Sequence, residues 1–97
     1  MNSHTVVVFV HVQVPATTNC VRQGITPVPN PKDCSRACLA LGFKYTGMRA
    51  RDNITGCFVL TSGEYKNDCN FNTNTKAHCE PPCTLEGASV QNLCVRR

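Results

Sequence analysis

The sequence contains no tryptophan, only six aromatic side chains, and charged residues at 16% of its 97 positions. Without a dense basic stripe interleaved with aromatics, it offers neither the electrostatic track nor the stacking platform of a nucleic-acid binder. No apolar run approaches the roughly 18–20 residues that a membrane-spanning helix requires, so no membrane insertion is expected. There is no Cys-x-x-Cys pair, no phosphate-binding glycine loop and no nucleophile or zinc-hydrolase motif. The three histidines, His4, His11 and His78, stand apart from any such pattern. The carboxylates Asp33, Asp52, Glu64, Asp68, Glu80 and Glu86 are scattered, mostly at turn or cap positions, and do not suggest a paired acid and base. These absences point away from an enzyme and from a cofactor.

What the chain does have is eight cysteines, from Cys20 to Cys94. A chain of this size buries only about 60–65% of the surface its unfolded form exposes, so an apolar core alone is marginal and covalent staples are the usual remedy. An even cysteine number at this density reads as a disulfide framework in a secreted protein. Zinc is the rival. Cys34, Cys38, Cys79 and Cys83 come in two close pairs that suit a tetrahedral site, but they would leave Cys20, Cys57, Cys69 and Cys94 unexplained. Four disulfides and no metal are therefore expected, in one stapled domain over residues 1–97. Eight cysteines allow 105 pairings. Excluding a Cys34–Cys38 bond, whose partners lie four apart on an expected helix, leaves 105 − 15 = 90.

Along the chain, Thr5 to Val14 is dense in β-branched residues and predicts a strand. Val8, Val10, Val12 and Val14 face one way; Val7, Phe9, His11 and Gln13 face the other, toward solvent or a partner. A signal-peptide reading is disfavoured by the missing cationic start and by the breaks at His11 and Gln13. Pro27, Pro29 and Pro31 exclude regular helix or a central strand up to Asn30. A short helix follows, with Asn30 as cap, Pro31 in the first turn and Gly42 at its end. Its stripe of Cys34, Ala37, Cys38 and Leu41 would staple it to a sheet at two points. The stretches 43–50 and 56–62 predict a hairpin joined by the polar residues 51–55. The sheet and helix part thus spans about 5–62. Residues 63–97 are expected to be looped: Asn67, Asn70, Asn72 and Asn74 predict an irregular loop pinned by Cys69, Cys79 and Cys83, and a short hairpin around Glu86-Gly87 closes the chain. The expected fold class is small, disulfide-rich and mainly β, a short antiparallel sheet with one helix and an irregular C-terminal region.

The net charge of +4 favours an acidic partner. Tyr45, Met48, Arg49 and Arg51 fall around the expected hairpin, with Tyr65 and Lys66 in the following loop. Tyr, Met and Arg are residue types that anchor protein interfaces, which makes these six the candidate binding residues. Asn53-Ile54-Thr55 is a glycosylation sequon on the connecting loop.

Four local features carry a family resemblance: thirteen residues between Cys20 and Cys34; Cys34-x-x-x-Cys38 after Pro29-Asn30-Pro31; Cys57-Phe58-Val59-Leu60; and the closing Cys94-Val95-Arg96-Arg97. In these, over about half of its length, the chain resembles tick salivary cysteine-rich proteins, in particular the eight-cysteine evasins. It departs from them after Cys57, where the intervals to Cys79 and Cys83 differ, and in its apolar start and basic charge. In size and cysteine number it is also similar to the CirpT-type inhibitors, which bind the fifth complement component. The resemblance implies a secreted, monomeric inhibitor of host innate immunity that occludes a complement component. A chemokine-binding protein is the alternative it implies, although a cationic chain would approach cationic chemokines without electrostatic steering. A serine protease inhibitor presenting Arg22 or Arg49 is a third reading.

Overall fold

The computed structural model describes residues 9–96. The order of elements is β1 (Val10–Gln13), β2 (Thr26–Pro27), α1 (Pro31–Ala40), β3 (Lys44–Arg49), β4 (Gly56–Leu60), β5 (Asp68–Asn72), β6 (Thr84–Leu85) and β7 (Ala88–Arg96). This is a small, mainly β, disulfide-rich fold with one helix. The expected first strand is present as β1, with Val14 buried just beyond it; the part of that expectation covering residues 5–8 lies outside the described residues.

The helix forms where its signals stand. Asn30 Oδ1 accepts the Asp33 N–H at 2.8 Å, and Pro31 occupies a first-turn position whose missing N–H costs nothing. At the other end Gly42 takes φ 83°, so that its N–H reaches the Leu39 carbonyl and the Phe43 N–H reaches the Cys38 carbonyl. That pair of bonds closes the last helical turn. Cys34, Ala37 and Cys38 are buried on one stripe, with Leu41 packed beside them.

The main sheet runs β1-β7-β4-β5-β3, with the short β2 and β6 also paired to β7. Two expectations fail here. The hairpin of residues 43–50 with 56–62 does not form: β3 and β4 are both strands, but β5 lies between them, antiparallel to β4 and parallel to β3. The expected Asn-rich loop is also wrong in its first part, because Asp68–Asn72 is that intervening strand. The physical reason lies in its alternation. Cys69 and Phe71 face the helix side, while Asn70 and Asn72 face the other side and are buried there.

Burial of Asn72 is tolerable because both ends of its amide are bonded, whereas Asn70 is bonded through its Oδ1 and its buried Nδ2 has no partner among the described residues. Asn72 Oδ1 accepts the N–H groups of Arg51 and Asn74, both at 3.0 Å, and its Nδ2 donates to the carbonyls of Arg51 and Ile54. One side chain thus does for the 50–55 loop what a neighbouring strand would do. Nor is the C-terminal part irregular throughout. The hairpin around Glu86-Gly87 forms, with both residues at positive φ (50° and 82°) as a two-residue turn requires. Its second strand, β7, pairs with β1, β2, β4 and β6.

Three apolar clusters result. Val28, Val59 and Leu93 pack with Cys34, Cys38, Cys57 and Cys69 under the helix. Val14 and Ile25 surround Cys20 and Cys94. Ile54, Phe58, Leu60 and Val90 fill the opposite face. β4 contributes to two of them, which is why Cys57 to Leu60 are buried without a break.

The cysteines pair as Cys20–Cys94, Cys34–Cys57, Cys38–Cys69 and Cys79–Cys83. The helix is stapled at two points as expected, to β4 and to β5. Cys69 therefore does not pin a loop with Cys79 and Cys83, which bond to each other over a separation of four residues. Chain-entropy arguments assign about 4.5 kcal/mol to the bridge of separation 74, about 3.5 to those of 23 and 31, and about 2 to the local one. Replacing Cys34 and Cys57 together by Ala should therefore lower the unfolding free energy by about 3 kcal/mol or more. The Cys79/Cys83 pair should cost no more than about 2, both read by guanidinium titration. Asn72→Ala, which strips four bonds from buried backbone, should cost about 2–4 kcal/mol in the same measurement.

Candidate functional site

β3 is the outer strand of the sheet on the side away from β1. Its inner edge is bonded to β5, and its outer edge carries no strand among the described residues. It also carries a bulge, since the register shifts between Tyr45 and Gly47 and leaves Thr46 without an opposite partner. Bulges strengthen the local twist and re-aim side chains. Here Thr46 Oγ1 and Arg49 Nε converge on one acceptor, Asn70 Oδ1, at 2.6 and 2.9 Å. Arg49 is thereby fixed at its Nε while the residue as a whole stays exposed.

The structure places three of the candidate binding residues on this strand. Tyr45 is half-buried against the helix-side core, and Met48 is 62% exposed. Arg49 ends the strand, and Arg51 lies just past it, half-buried and 3.5 Å from Glu86 Oε1 through its Nη2. Tyr65 and Lys66 are exposed in the β4–β5 connection, at the opposite end of β3, where the Lys44 N–H meets the Asn67 carbonyl at 3.3 Å. The six are not one compact cluster. Met48, opposite Phe71, projects to the helix side, whereas Arg49, opposite Asn72, projects to the other face with Arg51 following it, and Tyr65 and Lys66 lie toward the other end of a strand about 16 Å long.

Asn53 is half-buried in the β3–β4 connection, its Nδ2 donating to the Thr84 carbonyl at 2.7 Å. Ile54 of the same sequon is a core residue, 2% exposed. The zinc quartet suggested by spacing is not assembled, because Cys79 and Cys83 pair apart from the helix. A different quartet is: the Sγ atoms of Cys34, Cys38, Cys57 and Cys69 all lie within 4.8 Å of one another. They are held as two disulfides, and a metal ligand must be a thiolate. Arg22, a candidate inhibitory side chain, forms an ion pair with Glu80.

Sequence reasoning passed over a second feature. A cleft of about 580 Å³ opens between the N-terminal turn of α1 and the far end of the sheet, with Phe9, His11, Ile25, Val28, Val95 and Arg96 among its walls. The one signal in the sequence was the side of β1 that carries Phe9 and His11.

No protein-family model matches the chain, and neither a curated protein nor a solved structure is found to be similar to it. Asn70→Ala should release both Thr46 and Arg49, lowering stability by about 1–3 kcal/mol. Hydrogen exchange should at the same time accelerate at the amides of residues 46–49 relative to β4.

Proposed function

We propose that this protein is a secreted binding protein, of the tick salivary inhibitor type, that occludes a host complement component, the fifth being the best candidate. The observation that carries the binding reading is the outer edge of β3. It presents exposed Met48 on the helix-side face and exposed Arg49 on the other, on a strand held through β5 and the Cys38–Cys69 bridge to the helix. A surface fixed in advance loses little side-chain and loop entropy on association, which favours affinity from a small area. Four disulfides support the secreted compartment, and no described helix is long and apolar enough to cross a membrane. The choice of complement rests on the resemblance in size and cysteine number, and on the charge of +4, which lacks complementarity to basic chemokines.

The test is inhibition of complement-mediated lysis together with affinity capture from plasma. Purified oxidised protein should block lysis and retain the fifth component. Met48→Glu should weaken both by about tenfold or more, the scale of a lost central anchor, with the unfolding midpoint unchanged. Capture of a chemokine or a trypsin-like protease, with lysis intact, would overturn the complement reading. Made in a eukaryotic secretory host, the chain should carry a glycan at Asn53, seen as a mass that Asn53→Gln abolishes; an unmodified mass there removes the glycoprotein reading.

A further inference from the structure

Three of the four disulfides are sealed in the core and one is not. Cys20, Cys34, Cys38, Cys57, Cys69 and Cys94 are 0–4% exposed, and each of their three bonds has a partner in β4, β5 or β7. Cys79 and Cys83 are only half-buried. They close a loop of separation 4 inside a stretch that holds no helix or strand between Asn72 and Thr84. Exchange requires a thiolate to reach one of the bonded sulfurs. For the core bonds that means parting the sheet, which approaches global unfolding, whereas an irregular surface segment opens at far lower free energy.

The two half-buried sulfurs also differ from each other. Cys79 borders a cleft of about 340 Å³, with Asn19, Arg22, His78 and Asn92 among its other walls. That volume is within the range of roughly 300–1,000 Å³ typical of small-molecule sites. Cys20 and Cys57 touch the same cleft but are 4% and 1% exposed. Cys83 packs instead against the cluster of Ile54, Phe58, Leu60 and Val90. A thiolate entering from the cleft therefore meets Cys79 Sγ, with Cys83 as the leaving group. The flanks of the loop are tied to the β3–β4 connection: the His78 N–H donates to the Asp52 carbonyl at 3.1 Å, and Asn53 Nδ2 donates to the Thr84 carbonyl at 2.7 Å.

We infer that Cys79–Cys83 is a thiol-exchange site, which a small dithiol opens while the other three bonds stay closed. One thiolate of the dithiol attacks Cys79 Sγ, the Cys79–Cys83 bond breaks, and Cys83 leaves as a thiolate that takes up a proton. The second thiolate of the reagent then attacks the reagent's sulfur in the mixed disulfide, so that Cys79 leaves and is protonated in turn. The dithiol departs as a cyclic disulfide, having given up the two electrons and two protons that the protein gains. Opening removes the covalent link between the ties to Asp52 and Asn53. The site is independent of any partner at the β3 edge, so failure of either reading leaves the other standing.

The oxidised full chain, incubated with dithiothreitol in the absence of denaturant, quenched at intervals with N-ethylmaleimide and mapped by peptide mass spectrometry, tests the inference. Two maleimide groups should appear, at Cys79 and Cys83, at least about a hundredfold faster than at any other cysteine, the contrast expected between local and near-global opening. Hydrogen exchange of that two-thiol form should accelerate at His78, with the amides of β4 and β7 still protected. Glutathione cannot cyclise, and its adduct, trapped in acid, should lie on Cys79. Replacing Cys79 and Cys83 together by Ala should abolish the fast labelling; should that variant fail to fold, the peptide map of the native chain decides. First labelling at Cys20 and Cys94, simultaneous release of all eight thiols, or an adduct on Cys83 would overturn the inference.

Discussion

The architecture depends on a pair of bonds that leave the same stripe of one helix. Cys34 reaches β4 and Cys38 reaches β5, and all four sulfurs are essentially inaccessible to solvent. Two anchors one turn apart fix both the position of the helix over the sheet and its direction. They also bear on strand order. β3 and β4 are sequence neighbours, and closing them into a hairpin would have cost the least loop entropy. The Cys38–Cys69 bond holds the β5 segment against the helix, next to the strand that Cys34 already holds, and so favours insertion of β5 between them.

Insertion has a consequence for the far face. With β4 in the interior of the sheet and buried on both sides, the cluster around Phe58 needs a cover, and among the described residues no second helix supplies one. The 50–55 and 83–88 segments do so instead, contributing Ile54, Cys83, Leu85 and Ala88. Irregular segments over a core must have their backbone groups satisfied. Asparagines meet that demand: Asn72 and Asn74 hold the Arg51 backbone, and Asn92 Nδ2 donates to the Thr55 carbonyl at 2.8 Å. Asn72 and Asn74, which suggested an irregular loop, therefore order the backbone from Arg51 to Ile54.

How much could be read in advance follows the range of the forces involved. The helix was legible from Asn30, Pro31 and Gly42 because capping acts within four residues, and the Glu86-Gly87 turn for a similar reason. The two-point stapling of the helix followed from its 3.6-residue period. Strand neighbours were not legible, since the segments 43–50 and 56–62 have the same local character whether they pair directly or flank a third strand. Asn70 and Asn72 misled because composition treats a buried amide held by protein partners and a solvated one alike. The candidate residues Met48, Arg49 and Arg51 follow one another along β3 and its continuation, Met48 on one face and Arg49 on the other, whereas Tyr65 and Lys66 are set apart by the inserted strand. The cleft at Val95 depends on residues from both ends of the chain meeting on β7, and no local pattern records such a meeting.

β7 is the last strand in chain order and the one to which four others are paired. Its Cys94 is also the partner of the first cysteine, Cys20, across a separation of 74 residues. A growing chain therefore carries Cys20 as an unpaired thiol while Cys34, Cys38 and Cys57 have already emerged, and each can capture it in a non-native bond. Long-range pairing of this kind is slow to form, and a misplaced disulfide is released only by attack of another thiolate. From any such captured state the native pairing is reached only through exchange, which a thiol–disulfide buffer permits.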